Sequence, residues 1–210
     1  MPRIRKLNFN AQAPDLALPD SQGRQVQLSS LWEKRPLLLA FTRHFGCTQC
    51  KEMMDELVEG KGRIEEAGLG IAIITQGMPK ETALFAKKFA PGLLTLSDPE
   101  RESYKAYGLE KGTLFETFLN LKVLRAVRKA REKGYQVEQP PEGQDAMQMS
   151  GTFIIGRDGR VRLPYYYNNI ADHPPLELLL SGVLSTGWDK EFVGPVGPAA
   201  RELSGPKEKK

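Results

Sequence analysis

The stretch that decides the fold is residues 42–51, which read Thr42-Arg43-His44-Phe45-Gly46-Cys47-Thr48-Gln49-Cys50-Lys51. The segment before it, 37–41, is an unbroken apolar run and is typical of a strand buried on both faces. The segment after it, 51–58, carries its apolar residues at helical spacing. We therefore place both cysteines at the start of a helix, where unpaired amides and the helix dipole stabilise a thiolate.

This spacing predicts a reactive dithiol. A thiolate at a helix N-terminus has a pKa below the free value of about 8.5, and Arg43 and Lys51 add positive charge nearby in the sequence. Two thiols in this arrangement can close a disulfide if their Cβ atoms converge. We interpret the chain as a redox enzyme: the more exposed thiolate attacks a peroxide or a disulfide, and the second thiol resolves the product. The position nearer the helix end favours Cys47 as nucleophile and Cys50 as resolving thiol.

Composition and charge exclude several other classes. The 210 residues are 40% hydrophobic and 27% charged, which is ordinary for a globular protein. The net charge of +4 is concentrated in residues 1–10, which carry +3, and 193–210, which carry +2, so the body is nearly neutral and nucleic-acid binding is not expected. No apolar run is long enough for a membrane span or a secretory signal. A single CxxC and no other cysteine predicts a reducing compartment, by default the cytoplasm.

The order of predicted elements indicates an α/β fold. A short N-terminal hairpin over 13–28 precedes strand 37–42 and helix 47–60; a strand at 71–74, a helix from Pro79 and a strand at 93–96 follow. Strands that alternate with helices imply parallel pairing at the centre of the sheet. An Arg-Asp-Gly turn at 157–159 between two strand-like runs predicts an antiparallel hairpin, and 176–184 a final helix.

Two segments stand outside this pattern. Residues 110–149 form a helical insertion, in which a helix at 113–133 turns a basic face to solvent. Its apolar face is predicted to hold Leu114, Phe115, Phe118, Leu119, Leu121, Leu124 and Val127. We interpret this helix as core packing; a dimer contact or a wall of the substrate pocket are the alternatives. Residues 1–192 are predicted to be a single domain, and 193–210 a disordered basic tail.

The order of elements around the CxxC resembles the thioredoxin fold in its peroxiredoxin form, with a central mixed sheet flanked by helices. Three further features are similar to the alkyl hydroperoxide reductase and thiol-specific antioxidant superfamily: 13–16 with 28–31, 97–99 with 107–109, and 151–159. The run 43–50 and the run 172–175 most resemble the peroxiredoxin-like subgroup that includes prostamide/prostaglandin F synthase and its bacterial relatives. This resemblance implies peroxide reduction, no cofactor, and recharging by a thioredoxin-like reductant; it also implies Cys50 as the alternative peroxidatic residue.

The chain departs from ordinary peroxiredoxins at the site itself. Their Pro-x-x-x-Thr-x-x-Cys motif fits neither Cys47 nor Cys50 as its last residue. The arginine that they carry just before the hairpin strand is replaced by the run Gln148, Met149 and Ser150. The sequence therefore favours dithiol–disulfide cycling and does not predict high-rate reduction of hydrogen peroxide.

Five residues are candidates for supporting or substrate-binding roles around the dithiol. Arg43 is a candidate for stabilising a thiolate or a developing peroxide charge, with Thr42 and His44 as weaker candidates on the same segment. Gly151 and Thr152 open the strand that lies opposite the dithiol in this fold, where they would shape the pocket. A surface or packing role is the alternative for each of them.

Three other functions stay open at this point. A general thiol–disulfide oxidoreductase or a lipid endoperoxide reductase would use the same residues, because pocket shape selects the electrophile. A redox sensor would use the disulfide as a switch.

A zinc site is not expected. It would need four ligands, and only His44 and His173 could add to the cysteines, at a spacing that matches no finger or ribbon, so we expect no metal. The sequence leaves open whether the chain forms a homodimer.

Overall fold

The apolar run 37–41 forms the middle strand of a five-stranded sheet in the computed structural model, which describes residues 5–113, 117 and 121–181. The strands, in chain order, are β1 Ala17–Pro19, β2 Gln25–Gln27, β3 Leu37–Phe41, β4 Gly70–Thr75, β5 Leu94–Ser97, β6 Gly151–Ile155 and β7 Val161–Tyr166. The large sheet has the order β5-β4-β3-β6-β7. Strands β3, β4 and β5 are parallel, whereas β6 and β7 pair antiparallel, so the predicted mixed sheet is confirmed.

Seven helices are described around this sheet. They are α1 Ser29–Trp32, α2 Thr48–Glu59, α3 Lys61–Glu66, α4 Pro79–Phe89, α5 Glu102–Ala106, α6 Leu121–Glu132 and α7 Leu176–Ser181. The predicted N-terminal hairpin is confirmed as the antiparallel pair β1–β2, and the hairpin around residues 157–159 is confirmed as β6–β7. No helix within the described ranges is long and apolar enough to cross a membrane.

The core has two layers because successive side chains of β3 point to opposite faces of the sheet. Leu38 and Ala40 pack with α2 and α4 on one face. Leu37, Leu39 and Phe41 pack on the other face with the N-terminal hairpin and the two buried tyrosines of the 104–107 segment. All five residues of β3 are buried, as the unbroken apolar run predicted.

The insertion lies between α5 and β6, and the packed face of its described helix shares only Val127 with the predicted one. The buried residues of α6 are Val123 and Ala130, whereas Leu121 and Leu124 are exposed. Val123, Val127 and Ala130 follow one another at helical spacing, and α6 packs against α2. The expected inward positions of Leu121 and Leu124 are therefore wrong. Leu114, Phe115, Phe118 and Leu119 lie outside the described residues, as do the last part of the predicted helix 176–184 and the predicted tail.

Candidate active site

The two cysteines lie at the start of α2, where the sequence predicted them. Cys47 caps the helix with an extended backbone (φ −76°, ψ 116°), and Cys50 is in its first turn. The Cys47 amide donates to the His44 carbonyl (3.0 Å), which closes the loop that leads from β3 into the helix. Both thiols are free. The site is thus a reduced dithiol at the carboxyl end of the central strand.

Neither cysteine is exposed on the protein surface, so the expectation that surface exposure would distinguish the two thiols is wrong. Cys47 is 4% exposed and Cys50 is 5% exposed. The segment 137–140 covers this loop: the Glu138 amide donates to the Gly46 carbonyl (3.1 Å). A Cβ atom at position 46 would collide with the Glu138 carbonyl, so only glycine allows this approach. The choice between the two thiols must therefore rest on their chemistry.

Arg43 is a buried residue that contacts both halves of the site. Its side chain, on a residue only 2% exposed, donates from Nη1 to the Cys47 Sγ (3.5 Å), and its backbone amide donates to the Cys50 Sγ (3.3 Å). The rest of the guanidinium is held by two backbone carbonyls. Nε donates to Gln148 (3.2 Å), and Nη2 donates to Ala146. The alternative that Arg43 is a solvated surface side chain is wrong.

The pKa values of the two thiols move in opposite directions. A hydrogen bond from the Cys50 thiol is the largest cause that lowers the pKa of Cys47; burial opposes it, and the charge of Arg43 adds to it. The Cys50 amide also favours the Cys47 thiolate, although it does not form a regular cap hydrogen bond. The bond to Cys47, burial and the Cys47 charge raise the pKa of Cys50. These directions favour Cys47 over Cys50 as the thiolate of the pair.

Lys51 does not present a free charge to the dithiol. Its side chain is 3% exposed, and Nζ lies 2.9 Å from the Glu138 carboxylate. The same Nζ lies 5.2 Å from the centroid of the Phe89 ring. This ion pair ties the covering segment 137–140 to α2. The sequence placed a positive charge here correctly but could not show its partner.

His44 and Thr42 flank Arg43 and have different surroundings. Burial, followed by the charges of Arg43 and Lys51, lowers the pKa of His44 to about 4, so the imidazole is neutral at pH 7. Its Nδ1 is buried without a hydrogen-bond partner. Thr42 donates its hydroxyl to the Ile74 carbonyl (3.2 Å), which joins the ends of β3 and β4.

Gly151 and Thr152 lie beside the end of β3, opposite Phe41 and Ala40. The Thr152 hydroxyl bonds to the Tyr167 hydroxyl (2.8 Å), and that phenol also contacts the Met53 sulfur (3.2 Å). A Cβ at position 151 would lie 2.7 Å from a methyl group of Leu109. Both residues are buried in the sheet, and neither is among the described residues that line the cavity at Cys47.

A cavity of about 300 Å³ opens onto Cys47. Arg43 and His44 lie beside the cysteine in its wall, and Arg131 supplies a second cation. Much of the remaining wall is apolar and comes from α6, the covering segment and one later residue: Val123, Leu124, Val127, Val137, Pro140 and Ile170. The other described lining residues are Gly46, Thr48, Thr117, Glu138, Gln139 and Ala146, four of which are polar. Cys50 is not among its lining residues. The cavity is therefore suited to an apolar molecule with one reactive polar group.

Sequence reasoning missed Gln76, which follows β4 directly. It is 1% exposed and donates to the Arg43 carbonyl (2.7 Å). It also missed Glu138 and the carbonyls of the 146–148 loop. A polar Gln-Gly pair at the carboxyl end of a buried strand was the one available signal for Gln76. Carbonyl groups carry no sequence signal.

The structure offers no cluster of metal ligands among the residues that it describes. No group of three or more His, Cys, Asp or Glu side chains is arranged to hold an ion in those ranges. His173 instead pairs with Glu56, with 3.3 Å between Nε2 and Oε2.

Comparison with known proteins agrees with this geometry. The profile of the AhpC/TSA family matches residues 9–163. The chain belongs to the AhpC/TSA family. Among curated relatives of this member, prostamide/prostaglandin F synthase from Salmo salar is 30% identical over 167 residues, which cover 76% of the chain and 80% of the relative. Peroxiredoxin-like 2C from Bos taurus is 26% identical over 176 residues, which cover 81% of the chain and 77% of the relative.

Solved structures show the same fold. The peroxidoxin BcpB from Mycobacterium tuberculosis superposes with a TM-score of 0.60 at 19% identity, over 86% of this chain and 98% of that one. The thiol peroxidase from Chromobacterium violaceum superposes with a TM-score of 0.55 at 15% identity, over 80% and 81% of the two chains. The predicted thioredoxin-like, peroxiredoxin-type fold and the predicted family are confirmed. This AhpC/TSA member is an oxidoreductase of the peroxiredoxin-like class.

In this chain the arginine beside the segment before β6 is Arg43, which comes from the loop after β3 and not from that segment itself. That segment has the run 148–150 where ordinary peroxiredoxins carry arginine. The guanidinium of Arg43 bonds to the carbonyls of Ala146 and Gln148 at this place. The positive charge beside the Cys47 sulfur therefore comes from Arg43, which lies in the same run of residues as the two cysteines.

Proposed function

We propose that the chain is a thiol peroxidase that reduces an organic peroxide through a Cys47–Cys50 dithiol/disulfide cycle. One observation carries this proposal: Cys47 lines the cavity, and the buried Arg43 guanidinium donates to its sulfur (3.5 Å). The Cys50 thiol and the charge of Arg43 lower the pKa of Cys47, which favours its thiolate. A low-pKa thiolate beside a fixed cation is the arrangement that attacks an electrophilic oxygen or sulfur. Membership of the family supports a peroxide as the electrophile.

The oxidative step uses Cys47. Its thiolate attacks one peroxide oxygen, so that an S–O bond forms while the O–O bond breaks. The sulfur is oxidised by two electrons to a sulfenic acid, and the released alkoxide takes up a proton to become an alcohol. Arg43 lies where it can stabilise the negative charge that moves from sulfur to oxygen, because its Nη1 already donates to that sulfur (3.5 Å).

The resolving step follows from the removal of one charge. The pKa of the Cys50 thiol is raised first by its hydrogen bond to Cys47 and further by the Cys47 charge. Burial also raises this pKa and stays in place, but the Cys47 charge and the hydrogen bond to its thiolate are lost when Cys47 becomes a neutral sulfenic acid, so the pKa of Cys50 falls at that point. Its thiolate then attacks the Cys47 sulfur and forms the disulfide, and the hydroxide that leaves becomes water. The order of the two steps is thus set by the pair itself.

Recharging needs an external dithiol, which we propose to be a thioredoxin-like protein in a reducing, cytoplasmic compartment. Its thiolate attacks the disulfide and forms a mixed disulfide, which its second thiol resolves, so the reductant leaves oxidised and both cysteines return to thiols. A general thiol–disulfide oxidoreductase would share this half of the cycle. A redox switch would share the oxidation but would not be recharged repeatedly.

The cavity favours an organic substrate over hydrogen peroxide. Its volume of about 300 Å³ is far larger than hydrogen peroxide needs, and α6 lines it with apolar side chains. A lipid endoperoxide is the second candidate, because one relative is named prostamide/prostaglandin F synthase. Its reduction would also cleave an O–O bond at Cys47, but both oxygens would stay on one product.

A coupled assay tests the function. Wild-type protein is mixed with thioredoxin, thioredoxin reductase and NADPH, and then with hydrogen peroxide, tert-butyl hydroperoxide, a lipid hydroperoxide or a disulfide. We expect sustained NADPH consumption with the organic peroxides and a lower kcat/KM with hydrogen peroxide. A single oxidation followed by arrest would identify a switch. Turnover with the disulfide alone would identify a thiol–disulfide oxidoreductase.

Two serine variants test the roles of the cysteines. Cys50→Ser should form a sulfenic acid with peroxide, because Cys47 remains able to attack. It should then accumulate a mixed disulfide with a thioredoxin whose second cysteine is replaced by serine, because that reductant's single thiolate displaces hydroxide from the Cys47 sulfur and no thiol is left to resolve the product. Cys47→Ser should do neither. Accumulation of the mixed disulfide in Cys47→Ser alone would instead assign the attack to Cys50, as the family resemblance allows.

A further inference from the structure

Gln76 is a fully bonded amide at the carboxyl end of β4. It is 1% exposed, and its side chain makes four hydrogen bonds. Nε2 donates to the carbonyls of Arg43 (2.7 Å) and Asp145 (3.2 Å). Oε1 accepts from the Asp145 amide (2.8 Å) and from Arg101 Nη1 (3.3 Å). The rigid end of a central strand is thereby joined to two separate loops.

These two loops hold the two ends of Arg43. Gln76 binds the backbone of Arg43 directly. It also binds Asp145 on both its amide and its carbonyl, and the next residues of that loop, Ala146 and Gln148, supply the carbonyls that accept from the guanidinium. The Gln76 side chain therefore fixes the backbone of Arg43 and also the loop that binds its guanidinium.

We propose that Gln76 is a positioning residue of the dithiol site: its carboxamide fixes the backbone and, through the 145–148 loop, the guanidinium of Arg43, and so holds the guanidinium on the Cys47 sulfur. An effect of Gln76 on turnover rests on the proposed function. An effect of Gln76 on the ionisation of Cys47 rests on the geometry alone, because Arg43 contacts the Cys47 sulfur in the reduced protein (3.5 Å).

The charged and titratable groups around Cys47 are few, which makes the effect measurable. Arg43 and Cys50 face the sulfur directly. Arg131 and His44, whose imidazole is neutral at pH 7, line the same cavity. Lys51 is paired with Glu138, and Asp145 is paired with Lys111 (2.6 Å). Movement of the guanidinium is thus the expected source of any change in Cys47 ionisation when Gln76 is replaced.

The test replaces Gln76 by Met, which is of similar size and makes no such hydrogen bonds. The matched control is Thr82→Val. Thr82 is also buried near the end of β4, where its hydroxyl bonds to Thr75 (2.8 Å) and the Gly77 carbonyl (3.2 Å), but it has no bond to the Arg43 loops. Thiolate absorbance is followed against pH in each variant, alone and combined with Cys50→Ser, which assigns the signal to Cys47. The unfolding midpoint in urea is measured in parallel.

We expect Gln76→Met to move the Cys47 ionisation midpoint upward by about one pKa unit and to slow alkylation of Cys47 about tenfold at pH values below both midpoints. The defect should disappear at alkaline pH, where the thiolate is complete in either protein. Thr82→Val should lose stability without this shift. An unchanged midpoint in folded Gln76→Met would overturn the proposal.

If Gln76→Met does not fold, Gln76→Asn provides the same test with the same expected direction, because its amide ends one methylene short of Arg43. An unchanged midpoint in that variant would equally overturn the proposal. These ionisation measurements need no substrate. A wild-type protein that turns over no peroxide would therefore refute the proposed function and leave the positioning role to be decided by the titration.

Discussion

Replacement of Arg43 by methionine is the most direct test of how this site makes a thiolate. Methionine keeps much of the apolar bulk of the side chain and removes its charge and its donors. The variant therefore loses the contact from Nη1 to the Cys47 sulfur (3.5 Å). It retains the Cys50 thiol and the helix start, which are the other groups that stabilise the thiolate.

The expected size of the effect comes from that one contact. A hydrogen bond to a charged group contributes about 1.5–3 kcal/mol. Since one pKa unit corresponds to about 1.4 kcal/mol, the pKa of Cys47 should rise by about one to two units in Arg43→Met. Direct Coulomb attraction over about 4 Å at a partly screened site is about 4 kcal/mol, which sets an upper limit that water entering the vacated space would reduce.

The assay is the pH dependence of Cys47 alkylation in the Cys50→Ser background, with Arg43→Lys as the control that keeps the charge. At pH values below both midpoints, Arg43→Met should react about 10 to 100 times more slowly, and Arg43→Lys should lie between it and the parent. Stability is measured separately, because the variant leaves the carbonyls of Ala146 and Gln148 without this donor. A folded Arg43→Met whose midpoint equals that of the Cys50→Ser parent would show that the hydroxyl introduced at position 50 and the helix start suffice.

Three further predictions concern neighbouring residues. Cys50→Ala should raise the pKa of Cys47 well above its value in Cys50→Ser, because a serine hydroxyl can still donate to the sulfur and a methyl group cannot; equal midpoints by thiolate absorbance would refute the hydrogen bond. His44 titrates at about 4 when folded, below its ordinary 6.5, so the unfolded chain binds the proton first. The unfolding free energy should therefore fall by up to about 3 kcal/mol as pH drops through this window, and urea titrations of His44→Gln should lack that loss. Leu124→Asp, at an exposed position of the cavity wall, should raise KM for a lipid hydroperoxide about fivefold and leave hydrogen peroxide kinetics unchanged; equal effects on both would refute the cavity as the substrate site.

The features that the sequence predicted correctly are those with a local cause. The apolar run of β3, the helix start at Cys47 and the Asp158-Gly159 turn each depend on residues within a few positions, and all three are present in the structure. The packing face of α6 was predicted wrongly because its sequence offers two apolar stripes. Leu124 belongs to the one that the structure leaves exposed, and Val123 to the one that meets α2.

The environment of the dithiol could not be predicted, because its partners come from distant parts of the chain. Gly46 is covered by the backbone of Glu138, and Arg43 is held by carbonyls of the 146–148 loop. Backbone groups accept and donate whatever side chain they carry, so no residue type identifies them. Residue identity was therefore sufficient to name the thiols and the cation beside them, and insufficient to show that both thiols are buried.

Because both thiols are buried, the two halves of the proposed cycle make different demands on access. A small peroxide and a protein reductant differ greatly in the space that they need. In the proposed cycle a small peroxide meets Cys47 in a cavity of about 300 Å³ that is already formed in the reduced protein. A protein reductant must bring its own sulfur into line with the disulfide, and the residue it attacks is 4% exposed in the reduced form. The oxidised site must therefore expose a sulfur before it is recharged. The segment 137–140 covers the site in the reduced form, where Glu138 holds it to Gly46 by one backbone hydrogen bond and to Lys51 by one ion pair. We expect reduction by the protein partner to be faster in Glu138→Gln, which lacks the ion pair, and an unchanged rate would show that this contact does not limit access.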